Sequence, residues 1–213
     1  MKIISHRGYW KTEQEKNSVI AFKRSFDLGF GTETDFRDNN LKLVIEHDLP
    51  INSSLLAENF FTAVAECDKS LEIAINVKSD GLQDLIIQCI EKHQLTNCFL
   101  FDMSVPDAMV SIKKGLRAYT RQSEFEPIPA YYSDAVGVWM DAFIDDDWIT
   151  PQVARKHIDS GKKVCIVSPE IHNRPYKKLW SKFRESTNDY NNQITLCTDF
   201  PEIAAEFFKN EKD

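Results

Sequence analysis

Residues 2–36 read KIISHRGYWKTEQEKNSVIAFKRSFDLGFGTETDF. The run Lys2 to Ser5 has the brevity and apolar content of a buried strand. After a polar loop, Asn17-Ser18 offers a cap to a helix whose apolar face carries Val19, Phe22 and Phe26, and Gly29 ends it. Gly31 to Phe36 then reads as a second strand. Strand, helix, strand in this order is the signature of a parallel βαβ unit. The polar residues fall where such a unit exposes them: His6-Arg7-Gly8 directly after the first strand, and Glu33 and Asp35 on one face of the second, because side chains alternate along a strand.

Working outward, Asp38-Asn39-Asn40 is turn chemistry, and Leu41 to Glu46 returns as a partner strand, a hairpin that delivers His47-Asp48 back toward the first site residues. A helix is predicted near Leu55 to Glu66, a third strand over Leu71 to Val77, and a helix opened by Asp80-Gly81 and running to Lys92. The fourth strand is Cys98 to Phe101, followed by a helix over Val105 to Lys114. Leu116 to Thr120 is the fifth strand and Val136 to Met140 the sixth, after a proline-containing connection. Thr150-Pro151 starts a helix in the preferred cap-then-proline order, and Gly161 stops it. Lys163 to Val167 is the seventh strand, Tyr176 to Arg184 is amphipathic, Gln193 to Cys197 is the eighth strand, and Pro201 begins a terminal helix ending near Lys209.

Eight strand-helix units at about 25 residues each meet the needs of a minimal α/β barrel. The expected fold is a single (β/α)8 TIM-type barrel over residues 1–213, with no linker, repeat or low-complexity segment to divide it. An open doubly wound sheet is the competing architecture. It usually carries a glycine-rich phosphate loop, and this chain has seven glycines and no G-x-G-x-x-G.

Composition narrows the function. A hydrophobic content of 42% with 28% charged residues is ordinary for a folded domain, with disorder expected only in the Glu211-Lys212-Asp213 tail. The net charge of −7 argues against nucleic acid, whose binding rests on lysine and arginine neutralising phosphates. A small phosphorylated ligand is still accommodated, since a few local cations and a metal reverse the sign of one pocket. The five cysteines share no C-x-x-C spacing and mostly lie in apolar runs, which reads as buried thiols of a reducing compartment. The chain enters its first strand at once, so no signal peptide is expected, and no apolar stretch approaches the roughly 20 residues of a membrane span. The expectation is a cytoplasmic protein without a transmembrane segment, of undetermined oligomeric state.

In a parallel barrel the residues after each strand converge on one mouth. Here they are polar almost throughout: His6 and Arg7, then Glu33 and Asp35, His47, Asn76 and Lys78, Asp102, Arg121 and Glu124, Asp141, Ser168 and Glu170, and Asp199. Imidazole is the side chain best suited to moving protons near neutrality. Two carboxylates on one face both reach a hard divalent cation. Simpler readings stand beside these. Arg121 and Glu124 pair with each other as readily as they meet a substrate, and Asp145-Asp146-Asp147 reads as a solvated acidic run. His93 reads as a helix C-terminal cap and His157 and His172 as surface residues, although His172 follows the seventh strand and is near enough to reach a substrate. Trp139, Phe143 and Trp148 read as core and rim packing.

The ordered set His6-Arg7-Gly8, Asn17-Ser18 with Ala21-Phe22, Gly29 with Glu33-x-Asp35, and His47-Asp48 resembles the glycerophosphodiester phosphodiesterase family and its wider superfamily of phosphatidylinositol phospholipase C-like barrels. Past residue 50 the resemblance continues more weakly, in Lys78, Gly161-Lys162-Lys163-Val164 and Thr198-Asp199-Phe200-Pro201. The resemblance implies a phosphoric diester hydrolase with a divalent cation, Mg²⁺ or Ca²⁺, held by Glu33 and Asp35. It implies His6 and His47 as general acid and base. A phosphodiester anion needs its charge neutralised, and Arg7, Lys78 and Arg121 are the candidate groups toward the phosphate; the expected substrate is a small-molecule phosphodiester, glycerophosphodiester-like or a polyol or sugar diester.

Four departures from the family pattern matter. The third metal ligand, usually a glutamate, is Asn76, which brings an oxygen but no charge, so Asp102 or Asp141 is a candidate to complete the shell. Lys16 stands where a glutamate is usual before the first helix, and Ser168-Pro169-Glu170 replaces a tryptophan-containing strand end. Only 27 residues, 49–75, separate Asp48 from Asn76, too few for the small domain that typical members insert there. The nucleophile is either water or a neighbouring substrate hydroxyl. The second choice makes the protein a lyase or transferase that releases a cyclic phosphate, and the two substitutions near the site leave room for a barrel that binds a diester or a partner without turnover.

Overall fold

The structure, a computed structural model, describes residues 1–186 and 193–209. The expected disorder of the Glu211-Lys212-Asp213 tail lies outside the described residues.

Ten strands form one sheet. Eight of them are β1 (Lys2–Ser5), β2 (Gly31–Asn39), β5 (Ile73–Val77), β6 (Cys98–Phe101), β7 (Tyr119–Gln122), β8 (Gly137–Met140), β9 (Lys163–Val167) and β10 (Ile194–Thr198). They pair in parallel in that order, and β10 returns to β1. The seam between β6 and β7 is closed by a single bridge, Leu100 to Ala118, with the Leu100 N–H donating to the Arg117 carbonyl at 2.8 Å. The remaining two strands, β3 (Lys42–Ile45) and β4 (Leu55–Leu56), extend β2 as an antiparallel annex. The molecule is a (β/α)8-type barrel. Between Asp48 and Asn76 the chain holds only β4 and a helix, with no inserted domain.

Among the described residues seven α-helices coat the barrel: α1 (Val19–Asp27), α2 (Ala57–Glu66), α3 (Gln83–Lys92), α4 (Val105–Lys113), α5 (Pro151–Asp159), α6 (Lys177–Ser186) and α7 (Pro201–Phe208). Their starts follow the sequence signals. The Ser18, Ser104 and Thr150 side chains accept from main-chain N–H groups of the first turns. The expectation of eight strand-helix units fails at one place, since the β7 to β8 connection has no helix. Pro127 and Pro129 sit two apart there, and each removes an N–H donor and pushes its predecessor out of helical geometry. The fifth strand also shifts toward the C-terminus, with Leu116 and Arg117 leading in and Ala118 making only the closing bridge.

Inside the barrel the apolar filling includes Ile4, Ala74, Phe99, Phe101, Tyr119, Trp139 and Val167. Phe99 stacks on Tyr119 and Phe101 on Trp139, with ring centroids 3.8 and 3.7 Å apart. Gly137 makes room for this layer, because a Cβ there would lie 2.5 Å from the Tyr119 ring. Outside, one core joins α1 to α4 to the first half of the sheet, and a second joins α5 to α7 to β8, β9 and β10. In the first, the buried Phe60 ring meets Phe22, Phe36 and Phe61 at 4.7, 5.9 and 5.6 Å. No helix among the described residues is long and apolar enough to cross a membrane, and the five cysteines are free.

The N-terminal end of the barrel is sealed by Glu72, just ahead of β5. Its carboxylate accepts from Thr195 Oγ1 at 2.7 Å and pairs with Lys2 at 3.2 Å and Lys163 at 3.0 Å. Burial alone would raise this carboxyl, but the Thr195 hydroxyl and the two ammonium groups outweigh it and hold it below the ordinary value of 4.5. A folded-state pKa below the unfolded one gives stability that is present above about pH 4.5 and is lost as pH falls through the folded value. Glu72→Gln is therefore expected to lower unfolding free energy near neutrality by about 1.5–3 kcal/mol, the range for hydrogen bonds to charged groups. It should also flatten the acid limb of stability, as measured by urea unfolding from pH 7 to pH 3.

Candidate active site

At the opposite, C-terminal end of the strands the barrel opens into a cleft of about 650 Å³. His6, Arg7, Glu33, His47, Asn76 and Lys78 line it, and Asp35 lies buried beside them on β2. The stacked Phe101 and Trp139 form part of its lining. Of the other strand-end residues singled out from the sequence, Arg121, Glu124 and Ser168 do not line this cleft. The Arg121 guanidinium pairs with Asp102 Oδ1 at 2.9 Å and with Glu126, in a smaller cavity behind Asp102. Glu124 is not its partner, since that carboxylate accepts from the main-chain N–H groups of Phe143, Ile144 and Asp145.

The His-Arg-Gly segment has a conformational reason. Arg7 and Gly8 both occupy the left-handed region, at φ 57° and 80°, which turns the chain sharply out of β1 into the mouth. Gly8 also lies against α1, where a Cβ would come 2.7 Å from Ala21 Cβ. The turn aims the Arg7 main-chain N–H at Glu33 Oε2, 3.0 Å away, and brings Arg7 Nε within 3.1 Å of Asp35 Oδ2.

Asn17, also left-handed at φ 57°, holds the same carboxylate by donating Nδ2 to Asp35 Oδ2 at 2.8 Å. Lys78 Nζ stands 3.3 Å from Asp35 Oδ1. Burial would raise the Asp35 carboxyl, but Lys78, Arg7 and Asn17 together hold it below its ordinary value. Glu33 goes the other way: burial, then the nearby Asp35 charge, push it well above the carboxylate range. Two carboxylates on adjacent inward positions of β2 thus differ: cations and an amide stabilise the charge on Asp35, whereas the Arg7 N–H and the nearby cations do not offset the burial of Glu33.

His6 and His47 are each backed by an aspartate. His6 Nδ1 is 2.8 Å from Asp199 Oδ1, which lies just past β10, and both side chains are largely buried. His47 Nδ1 is 2.9 Å from Asp48 Oδ1 and is 42% exposed at the rim. The hairpin end is clamped by Arg37, whose Nε and Nη2 donate to the His47 carbonyl at 3.2 and 3.1 Å while Nη1 donates to the Lys78 carbonyl at 3.1 Å. The sequence points to Asp199 only as a mouth residue and to Asn17 only as part of a helix cap, and gives no partner for either and no role to Arg37. The αL-tolerant asparagine at position 17 and the strand-end position of Asp199 were the available signals.

The other wall is built from β8, β9 and β10. His172 Nε2 meets Asp141 Oδ1 at 2.7 Å, and its ring lies 5.1 Å from that of Phe143. Glu170 accepts from Ser168, Thr198 and the Asp199 main-chain N–H, so it ties β9 to the segment carrying Asp199; burial holds its carboxyl above the ordinary value. Lys16 sits at the rim, paired with Glu13 and 4.4 Å above the Trp10 ring. His157 is not a surface residue as expected but a buried one, bonded to Tyr132 and Gln122 at 2.9 Å each. His93 does cap α3 and pairs with Glu58. The acidic run at 145–147 is paired rather than merely solvated, Asp146 with Arg174 and Asp147 with Lys178.

No protein-family model matches the sequence, and no curated protein is detectably similar to it. Solved structures do match. A glycerophosphodiester phosphodiesterase from Agrobacterium tumefaciens superposes with a TM-score of 0.72 over 99% of this chain and 100% of its own, at 13% identity. One from Parabacteroides distasonis gives 0.69 over 97% and 96% at 18% identity. The chain has the fold of these enzymes. A phosphodiesterase from Oleispira antarctica, solved in complex with the product sn-glycerol-3-phosphate, gives 0.68 over 99% and 97% at 14% identity. Identities this low carry the glycerophosphodiesterase fold and leave the chemistry to the side chains.

The side chains suit a hard cation. Asp35 and Asn76 are register neighbours on β2 and β5, and both Oδ1 atoms are buried without a well-formed hydrogen bond, although Asp35 Oδ1 faces the Lys78 ammonium at 3.3 Å. With the desolvated Glu33 carboxyl, which lines the same cleft as Asn76, they make an all-oxygen set of the kind Mg²⁺ or Ca²⁺ takes.

Proposed function

We propose that this protein is a divergent member of the glycerophosphodiester phosphodiesterase family, a divalent-cation-dependent phosphodiesterase acting by two-histidine acid/base catalysis. The observation that carries this reading is that the buried Oδ1 atoms of Asp35 and Asn76 accept no hydrogen bond, with Glu33, His6, His47, Arg7 and Lys78 lining the cleft beside them. Glu33, Asp35 and Asn76 would hold Mg²⁺ or Ca²⁺, whose role is to neutralise charge on the non-bridging oxygens of the diester.

The chain's own groups supply the rest. Arg7 and Lys78, both within 3.3 Å of Asp35, are placed to share their charge with a diester anion that enters the cleft. Asp199 accepts from His6 Nδ1–H, which leaves Nε2 of that ring to take or give a proton, and Asp48 does the same for His47. One imidazole deprotonates the nucleophile and the other protonates the leaving alkoxide. The Oleispira neighbour's glycerol phosphate product, with an exposed His47 and no inserted domain over the cleft, supports a small soluble diester as substrate. The unpaired thiols support a reducing, cytoplasmic setting.

Assay with bis(p-nitrophenyl) phosphate and a panel of glycerophosphodiesters is expected to show turnover with Mg²⁺, Ca²⁺ or Mn²⁺ that EDTA abolishes. ³¹P NMR of the products separates a monoester from a cyclic phosphate and so identifies the nucleophile. Absence of turnover on every diester with every metal would sink the enzyme reading.

A further inference from the structure

A side-chain amide beside two carboxylates has a default orientation, and it is the wrong one for a metal ligand. The NH2 group is attracted to the anions, whereas ligation needs the oxygen to face them. Asn76 is 7% exposed and sits in register with Asp35, yet its Oδ1 is the atom left without a donor, while Nδ2 is turned away to Asp102 Oδ2, 3.3 Å distant. Asp102 can hold it there because it is itself fixed. It follows β6 in a left-handed conformation, φ 66°, and its Oδ1 accepts from Arg121 at 2.9 Å, with Glu126 gripping the far side of the same guanidinium.

We propose that Asp102, backed by Arg121, is a positioning residue that locks the Asn76 amide with Oδ1 toward Glu33 and Asp35, making the amide oxygen the third ligand of the divalent cation. This rests on the metal-dependent reading above. Asp102 is not itself the missing ligand, since both its oxygens are engaged, one by Arg121 and one by Asn76. Asp141 is held through one oxygen, Oδ1, by His172. The chain therefore replaces a carboxylate ligand by an amide ligand together with an outer carboxylate that orients it. It also gives Arg121 a role without substrate contact: it balances the Asp102 charge next to a site meant for a cation.

The test is isothermal titration of the full chain with Mn²⁺ and Mg²⁺, alongside thermal melts in EDTA to check that each variant folds. Asp102→Asn removes the lock, and its binding is expected to weaken about 10–100-fold, the usual effect of losing a partner that orients a metal ligand. The exchange variant, Asn76→Asp with Asp102→Asn, restores a carboxylate-amide pair with the carboxylate at the inner position, and should bind at least as tightly as wild type. Binding by Asp102→Asn within twofold of wild type, with Glu33→Gln inactive in the titration, overturns the positioning role and leaves the metal site standing. Weak binding that the exchange fails to restore overturns it as well, since Asp102 would then be a general structural support. Wild type and Glu33→Gln giving the same negligible heats would overturn the metal reading and this inference with it.

Discussion

His6→Ala is expected to reduce diester turnover by about 10²–10⁴-fold, the usual contribution of a positioned general acid or base, and to leave the fold in place. The imidazole makes one side-chain hydrogen bond, to Asp199, and both groups are largely buried, so truncation leaves the carboxylate without its partner and the loss of stability should be about 1–3 kcal/mol. The same logic orders a series. Asp199→Asn keeps the ring but withdraws the carboxylate that fixes its tautomer, so its rate should fall between wild type and His6→Ala. His6→Ala turning over at the wild-type rate, in an assay that EDTA still abolishes, would remove His6 from the chemistry.

The largest stability effect is expected from Phe60→Ala. Phe60 is fully buried on α2, and its ring is the common neighbour of Phe22 on α1, Phe36 on β2 and Phe61. Truncation leaves a cavity that three rigid rings cannot collapse into, at a cost of about 3–5 kcal/mol. For a chain of this length that is a fall in melting temperature of about 6–20 °C. Activity at low temperature should be affected as well, because Phe36 separates Asp35 from Arg37 on β2: one neighbour bears on the metal set and the other clamps the His47 loop. Calorimetry of the variant showing a midpoint within 2 °C of wild type would mean that this aromatic cluster repacks, contrary to its geometry.

These outcomes separate what the sequence makes visible from what it hides. Strand and helix order was legible because each element carries its own local signal, such as the Ser18 and Thr150 caps or the alternation of Glu33 and Asp35. The cleft residues were legible because a parallel barrel gathers whatever follows its strands. The pairings within the cleft were not. His6 and Asp199 are 193 residues apart, Asp102 and Arg121 belong to different strands, and the Arg37 clamp joins two main-chain carbonyls that no periodicity announces. Arg121 illustrates the point, since proximity in sequence favours Glu124 whereas the fold delivers Asp102 and Glu126. The missing helix between β7 and β8 had a local cause, Pro127 and Pro129, which was present in the sequence and underweighted against the regularity of the repeat.

The single bridge that joins β6 to β7 gives the barrel a line of least cohesion. Elsewhere neighbouring strands share ladders of two to five register pairs, but here the main chain makes a single bridge, and side chains supply the rest of the cohesion through the Asp102–Arg121 ion pair and the Phe99–Tyr119 stack. Partial unfolding follows the weakest boundary between cooperative units, so this wall should part along that line before either flanking core melts. Amide protons flanking Leu100 and Ala118 then exchange with solvent through a local gape rather than through global unfolding. The ion pair that keeps the gape shut is the one that backs the amide of Asn76, so, on the metal-dependent reading proposed above, a cation bound by that amide would also latch the barrel.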